Sequence, residues 1–122
     1  MERKRYNLEE RTFRFAGDVR LFAGKVPKSF INRADLHQLA KSSGSVGANY
    51  LEANNALSKR DFVMRVGICL KEAKESGYWL RLLSLPPGSR ELQGERSRLV
   101  QESTELVKIF STIIRNSKKD NS

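Results

Sequence analysis

Residues 58–83 read SKRDFVMRVGICLKEAKESGYWLRLL, and their apolar positions fall into two sets. Phe62, Val66, Cys69, Ala73, Gly77 and Leu80 recur at steps of three and four, the spacing of one face of an α-helix. Met64, Ile68, Tyr78, Trp79 and Leu82 fall on the opposite face at 100° per residue, interrupted by Lys71 and Glu75. A helix that is apolar on both sides is buried on both sides. In a single bundle one side of every helix faces water, so the second stripe predicts contact with another subunit or a partner. Ser58 and Asp61 supply the start signal for this helix, expected over 59–84.

Upstream, residues 42–51, SSGSVGANYL, carry no charge and hold two glycines, each costing about 1 kcal/mol of helix propensity relative to alanine. A packing interaction must offset that loss, and Ser43, Gly44, Gly47, Ala48 and Asn49 are expected where a neighbouring helix approaches most closely. Asn49 reads as a hydrogen bonder between helices. The helix containing them is expected over 32–53, capped by Asn32 with Asp35 in its first turn, and burying Leu36, Leu39, Ala40, Ser43, Gly47 and Tyr50.

The same spacing appears at both ends of the chain. Leu8, Thr12, Phe15, Val19, Phe22 and Val26 predict a first helix over 8–26, with Asn7 and Glu10 as a capping pair and Gly24 and Pro27 marking its end. After the turn at Pro86, Pro87 and Gly88, a fourth helix is expected over 89–116, with Leu92, Leu99, Ser103, Leu106, Phe110 and Ile113 as its inner seam. Its outer charges, among them Glu95, Arg98 and Glu102, read as a solvated face with weak surface ion pairs. No segment alternates with the period of a half-buried strand. The fold class is therefore all-α: an antiparallel up-down-up-down four-helix bundle over 1–116, with 117–122 as a disordered tail.

A chain of 122 residues supports one core and one domain. Hydrophobic residues make up 39%, too many for a disordered chain, and the mean hydropathy of −0.55 fits a soluble one. No apolar run approaches the roughly 20 residues of a membrane span, and MERKRYNLEE is no signal peptide, so no membrane partner and a cytoplasmic address are expected. One cysteine, Cys69, and one histidine, His37, supply neither a disulfide nor a zinc site. Cys69 falls on the core face and reads as a small buried hydrophobe. Glu52, Glu72 and Glu75 lack the Glu-x-x-His pattern of a di-iron bundle, and no nucleophile-base pair can be assembled. The expectation is a protein that is not an enzyme, with no metal and no cofactor.

Lys and Arg outnumber Asp and Glu by 23 to 14, a net charge of +9, and residues 1–41 hold ten of the basic side chains against five acidic ones. Such an excess suits a polyanionic partner, RNA or DNA. The candidate phosphate contacts are Arg3, Lys4 and Arg5, then Arg11, Arg14 and Lys25 along one side of the first helix, with Lys118 and Lys119 as a second contact. No aromatic-basic RNA motif is present, which points to shape and charge rather than base readout. The other reading is a protein-interaction scaffold whose charge is incidental.

The segment 42–83, and within it Ser43-Gly44-Ser45-Val46-Gly47-Ala48-Asn49, Glu52-Ala53, Ser58 with Asp61-Phe62, Lys71-Glu72-Ala73-Lys74-Glu75-Ser76 and Tyr78-Trp79-Leu80, resembles the four-helix bundle family whose founding members are encoded in intervening sequences of bacterial large-subunit ribosomal RNA genes. These motifs cover about a third of the chain. The resemblance implies a ring-shaped homo-oligomer, a homopentamer of antiparallel bundles arranged as a barrel, without known catalytic activity. It also implies kinship with the accessory protein of diversity-generating retroelements, and hence an association with nucleic acid or a nucleic-acid-bound protein such as a reverse transcriptase. Family members commonly carry glycine and arginine in the connection after the second helix, where this chain has Ala53, Asn54, Asn55, Ala56 and Leu57. That departure argues against a basic nucleic-acid loop at this connection. The double-sided third helix fits a five-fold ring independently, because ring contacts join one patch to a different patch on the neighbour.

Overall fold

The computed structural model describes residues 8–119, which form four helices and, among the described residues, no strand. They are α1 (Leu8–Lys25), α2 (Phe30–Asn54), α3 (Lys59–Leu82) and α4 (Arg90–Lys119). Around the bundle α1 packs against α2, α2 against α3, and α3 against α4, while α1 meets α4 along the thinnest seam. The diagonal pairs α1 with α3 and α2 with α4 have no Cα atoms within 8 Å of one another. Between α2 and α3 the bonded partners are 42 with 76 and 49 with 65, and 32 bonds 84 just beyond the end of α3, so one number rises as the other falls.

The expected seams are buried fully in α1 and in part elsewhere: of the six α2 residues, Leu39 and Ser43 are buried and Leu36, Ala40, Gly47 and Tyr50 half-buried, and in α4 Leu92 and Ile113 are half-buried. All six expected residues of the first helix, from Leu8 to Val26, are buried. In α3, Val66, Cys69, Ala73, Gly77 and Leu80 are buried, with Phe62 half-buried against the core. In α4, Leu99, Ser103, Leu106 and Phe110 are buried, and Tyr50 of α2 tilts against Phe110 at a ring-centroid distance of 6.1 Å. α2 adds Val46, from the charge-free stretch, and Ala53, beyond it, to the core.

The start of α2 differs from the sequence reading. Ser29 is the N-cap, its hydroxyl accepting from the Asn32 amide at 3.2 Å, and the helix begins at Phe30 rather than 32. Asn32 is instead buried, 1% exposed, and ties two connections together. Its Nδ2 donates to the carbonyls of Pro27 at 2.9 Å and Ser84 at 2.8 Å, and its Oδ1 accepts from the Ser84 amide at 2.9 Å. A side chain able to satisfy three backbone groups at once is worth more inside than at a cap that Ser29 already fills. The Asn7 part of the expected first cap lies outside the described residues.

The α3 cap is as expected, with Ser58 Oγ accepting from the Asp61 amide at 3.0 Å. α3 ends at Leu82, two residues early, where Arg96 of α4 donates to the carbonyls of Leu80 at 3.3 Å and Leu83 at 2.6 Å. A cation on the last carbonyls of a helix satisfies acceptors that have no partner within the helix. Gly88, at φ +78°, makes the left-handed step in the turn that follows. α4 then continues to Lys119, so 117–119 are helical rather than part of a tail, since no glycine or proline interrupts the run after Ile114. Residues 120–122 lie outside the described chain.

Candidate functional site

Small side chains in α2 place their neighbours. A Cβ added at Gly47 would lie 2.9 Å from Thr12 Oγ1 of α1, and one added at Gly44 would lie 3.3 Å from Arg20 Nη2. Toward α3, the hydroxyls of Ser42 and Ser76 bond at 2.9 Å in the interior. On the other flank of α3, a Cβ added at Gly77 would lie 2.8 Å from Ser103 Oγ of α4. Of the five residues expected at close packing, Ser43 is buried, Gly44, Gly47 and Asn49 are half-buried, and Ala48 is exposed. Ala48 therefore lies outside the contact: it falls on the arc of α2 that faces neither α1 nor α3. Asn49 does bridge helices, its Oδ1 accepting from Arg65 of α3 at 3.3 Å.

The α1 cations expected to meet phosphate are held by α4. Arg11 forms a two-bond pair with Glu102, Nε to Oε2 at 2.6 Å and Nη2 to Oε1 at 2.9 Å. That hydrogen bond raises the guanidinium pKa further. Lys25 Nζ pairs with Glu95 Oε2 at 2.9 Å. Arg14 is exposed with a loose partner, Glu10, at 3.8 Å. Arg3, Lys4 and Arg5 lie outside the described residues, and Lys118 and Lys119 close the last turn of α4. The outer charges of α4 are thus not simply a solvated face: Glu95 and Glu102 fasten the thin α1–α4 seam, because two helices that pack loosely leave room for long charged side chains to reach across.

That seam is a half-open groove of about 790 Å³. Phe15, Phe22 and Leu99 contribute apolar surface, Arg14, Asp18, Arg98 and Gln101 polar surface, and the two ion pairs belong to its walls. Glu95 Oε1 is buried there without a hydrogen-bond partner.

Exposed cations outside the ion pairs are spread over all four helices, among them Arg20 on α1 and Arg98 and Arg115 on α4. Among the described residues Arg33, Lys41, Arg60, Lys74 and Arg81 are exposed and take part in none of the ion pairs. The sequence reading missed the pairing of Arg11 and Lys25, which depends on where Glu102 and Glu95 of α4 come to rest.

The outer stripe of α3 is open. Met64 is 49% exposed, Tyr78 54% and Leu82 48%, while Ile68 and Trp79 are half-buried. Tyr78 and Trp79 meet edge to face at 5.0 Å, and the buried Trp79 indole N–H has no acceptor. Lys71 and Glu75 are exposed on the same stripe. Burial, reinforced by Glu75, raises the pKa of the neighbouring Glu72.

Among the described residues no three His, Cys, Asp or Glu side chains come together as a metal would require. Cys69 is fully buried, and burial pushes its thiol up to about 12, so it stays protonated and unreactive at neutral pH. His37 is exposed. No described helix is long and apolar enough to cross a membrane.

Neither a scan of family models nor a search of curated proteins returns a match. Among solved structures, the crystal structure of a protein of unknown function from the S23 ribosomal protein family of Bacteroides thetaiotaomicron is similar to this chain with a TM-score of 0.71 and 31% identity. The match covers 87% of this chain and 96% of that one.

Proposed function

The chain belongs to the S23 ribosomal protein family, and from that premise we propose that it is a non-enzymatic, homopentameric bundle of antiparallel up-down-up-down helices that binds structured RNA through phosphate contacts. The observation that carries this reading is the set of exposed cations that take part in no ion pair, Lys74 and Arg81 of α3 among them, while Glu102 and Glu95 of α4 hold Arg11 and Lys25. Repeating such a surface around a ring multiplies its field and adds avidity toward a polyanion. Kinship with the intervening-sequence proteins of ribosomal RNA genes belongs to the same reading.

The test is RNA binding at several salt concentrations. The expected outcome is affinity that falls steeply with salt, with the slope reduced by about 1 for each phosphate contact removed when Lys74 and Arg81 are replaced by glutamine. Arg11→Gln should leave the slope unchanged, since Glu102 already holds that guanidinium. Absence of RNA or DNA binding at low salt would overturn the proposal. A second reading, a scaffold that recruits a protein partner such as a reverse transcriptase, is favoured by the mixed signs of charge in the α1–α4 groove. It predicts binding to that partner with little dependence on salt.

A further inference from the structure

Two clefts flank α4, and they differ in charge. The one toward α1 is lined by acids and bases together, and its cations Arg11 and Lys25 are already paired. The one toward α3, about 390 Å³ and more open, is lined by Arg81 of α3 and by Arg96, Ser97, Val100 and Gln101 of α4. No carboxylate is among them. Arg96 is held in place from behind: its Nη1 donates to the carbonyls of Leu80 at 3.3 Å, Arg81 at 3.5 Å and Leu83 at 2.6 Å. One nitrogen thus answers the negative end of α3, and Nε and Nη2 are left without a partner among the described residues. A guanidinium fixed by backbone bonds loses less freedom when it takes a ligand. Arg81 is exposed, and among the described residues its guanidinium makes neither a hydrogen bond nor an ion pair. The exposed Ser97 hydroxyl is likewise unbonded. Gln101 Nε2 is committed to Glu105 Oε2 at 2.9 Å, so the groups left to a ligand are two guanidiniums and one hydroxyl.

The geometry points to the α3–α4 cleft as a phosphate-binding site, in which the guanidinium groups of Arg81 and Arg96 and the hydroxyl of Ser97 donate to the oxygens of one phosphate group. A carboxylate offers two oxygens in one plane and is matched by a single arginine fork, as Glu102 is by Arg11. Donors brought from two helices onto one cleft suit instead an anion with oxygens pointing in several directions, and two positive charges suit its greater charge. The proposal deepens the RNA reading above and rests on it only for the source of the phosphate, which is the RNA backbone, an RNA terminus or a free phosphate.

The test titrates inorganic phosphate into the full chain, with sodium chloride at matched ionic strength as the control, and follows the Nε–H resonances of Arg81 and Arg96 by NMR. Both should shift saturably with phosphate and neither with chloride. Arg81→Gln and Ser97→Ala alter exposed side chains, so circular dichroism should show the parent's helical content in both. Arg81→Gln should weaken phosphate binding about tenfold, the loss of a charged hydrogen bond, and Ser97→Ala should weaken it less. RNA oligomers with a 5′-phosphate or a 5′-hydroxyl then compete with phosphate. Displacement by both supports a backbone phosphate in the cleft, by the phosphorylated oligomer alone a terminal one, and by neither a free phosphate. Equal shifts with chloride, or phosphate affinity unchanged in Arg81→Gln, overturn the site, and RNA binding that still falls steeply with salt would then leave the RNA reading standing. A protein that binds phosphate through Arg81 but no RNA keeps the site and overturns the RNA reading.

Discussion

Replacing Gly47 by alanine sets two effects of known size against each other. Alanine in the interior of α2 gains about 1 kcal/mol of helix propensity. Its Cβ, however, would lie 2.9 Å from Thr12 Oγ1 and 3.3 Å from Thr12 Cβ. Thr12 is 1% exposed, and its hydroxyl donates to the carbonyls of Leu8 at 2.9 Å and Glu9 at 3.0 Å, so rotation about χ1 would give up those bonds and aim a methyl group elsewhere in a filled interior. Overpacking of this kind costs about 1–3 kcal/mol. The net expectation for Gly47→Ala is a loss of roughly 1 kcal/mol, or about 4 °C in Tm for a chain of this size. Thermal and urea unfolding at one fixed protein concentration would measure it, since assembly makes apparent stability depend on concentration. Adding Thr12→Ala removes the nearest atom, so the double variant should recover about 1 kcal/mol relative to the sum of the single changes. Gly94→Ala, where a Cβ meets nothing within 4 Å, serves as the control and should gain stability. A Gly47→Ala protein at least as stable as the parent, or a loss unaffected by Thr12→Ala, would refute the close approach of α1 and α2 at this point.

Asn32→Ala should cost about 2–3 kcal/mol in urea unfolding, because it removes three bonds and leaves buried backbone groups unpaired, whereas Ser29→Ala should cost about 1 kcal/mol as an ordinary cap loss. Cys69 should resist thiol reagents in the native protein and react on unfolding. Its folded pKa lies above the unfolded value, so the folded state retains its proton longer. The stability it contributes is present below about pH 9 and is lost as pH rises toward about 12, by up to about 1.4 kcal/mol per pH unit. Cys69→Ala should show a correspondingly shallower alkaline decline.

Periodicity identified the buried seams because a seam is a local property: Leu8 to Val26, and Val66 to Leu80, repeat at three and four whatever they meet. Ser58 was legible as a cap for the same reason. Asn32 was not. Ser29 and Asn32 are both good cap residues three positions apart, and what distinguishes them is Ser84, 52 residues away. The acids of α4 looked solvated because nothing near them in sequence shows that Arg11 and Lys25 arrive alongside. That arrival also removes two of the expected phosphate contacts.

The slender seam between α1 and α4 makes the four helices unequal in how readily they come away. α1 lines the loosest side of the bundle, and two partly exposed ion pairs, sensitive to ionic strength, do much to close that side. Its amides form a natural unit of partial opening, one that exchanges with solvent deuterium ahead of the tightly joined α2 and α3 and does so faster as salt rises. The bundle is then a three-helix body with a detachable first member, and the same helix that closes the core is the one best placed to leave it.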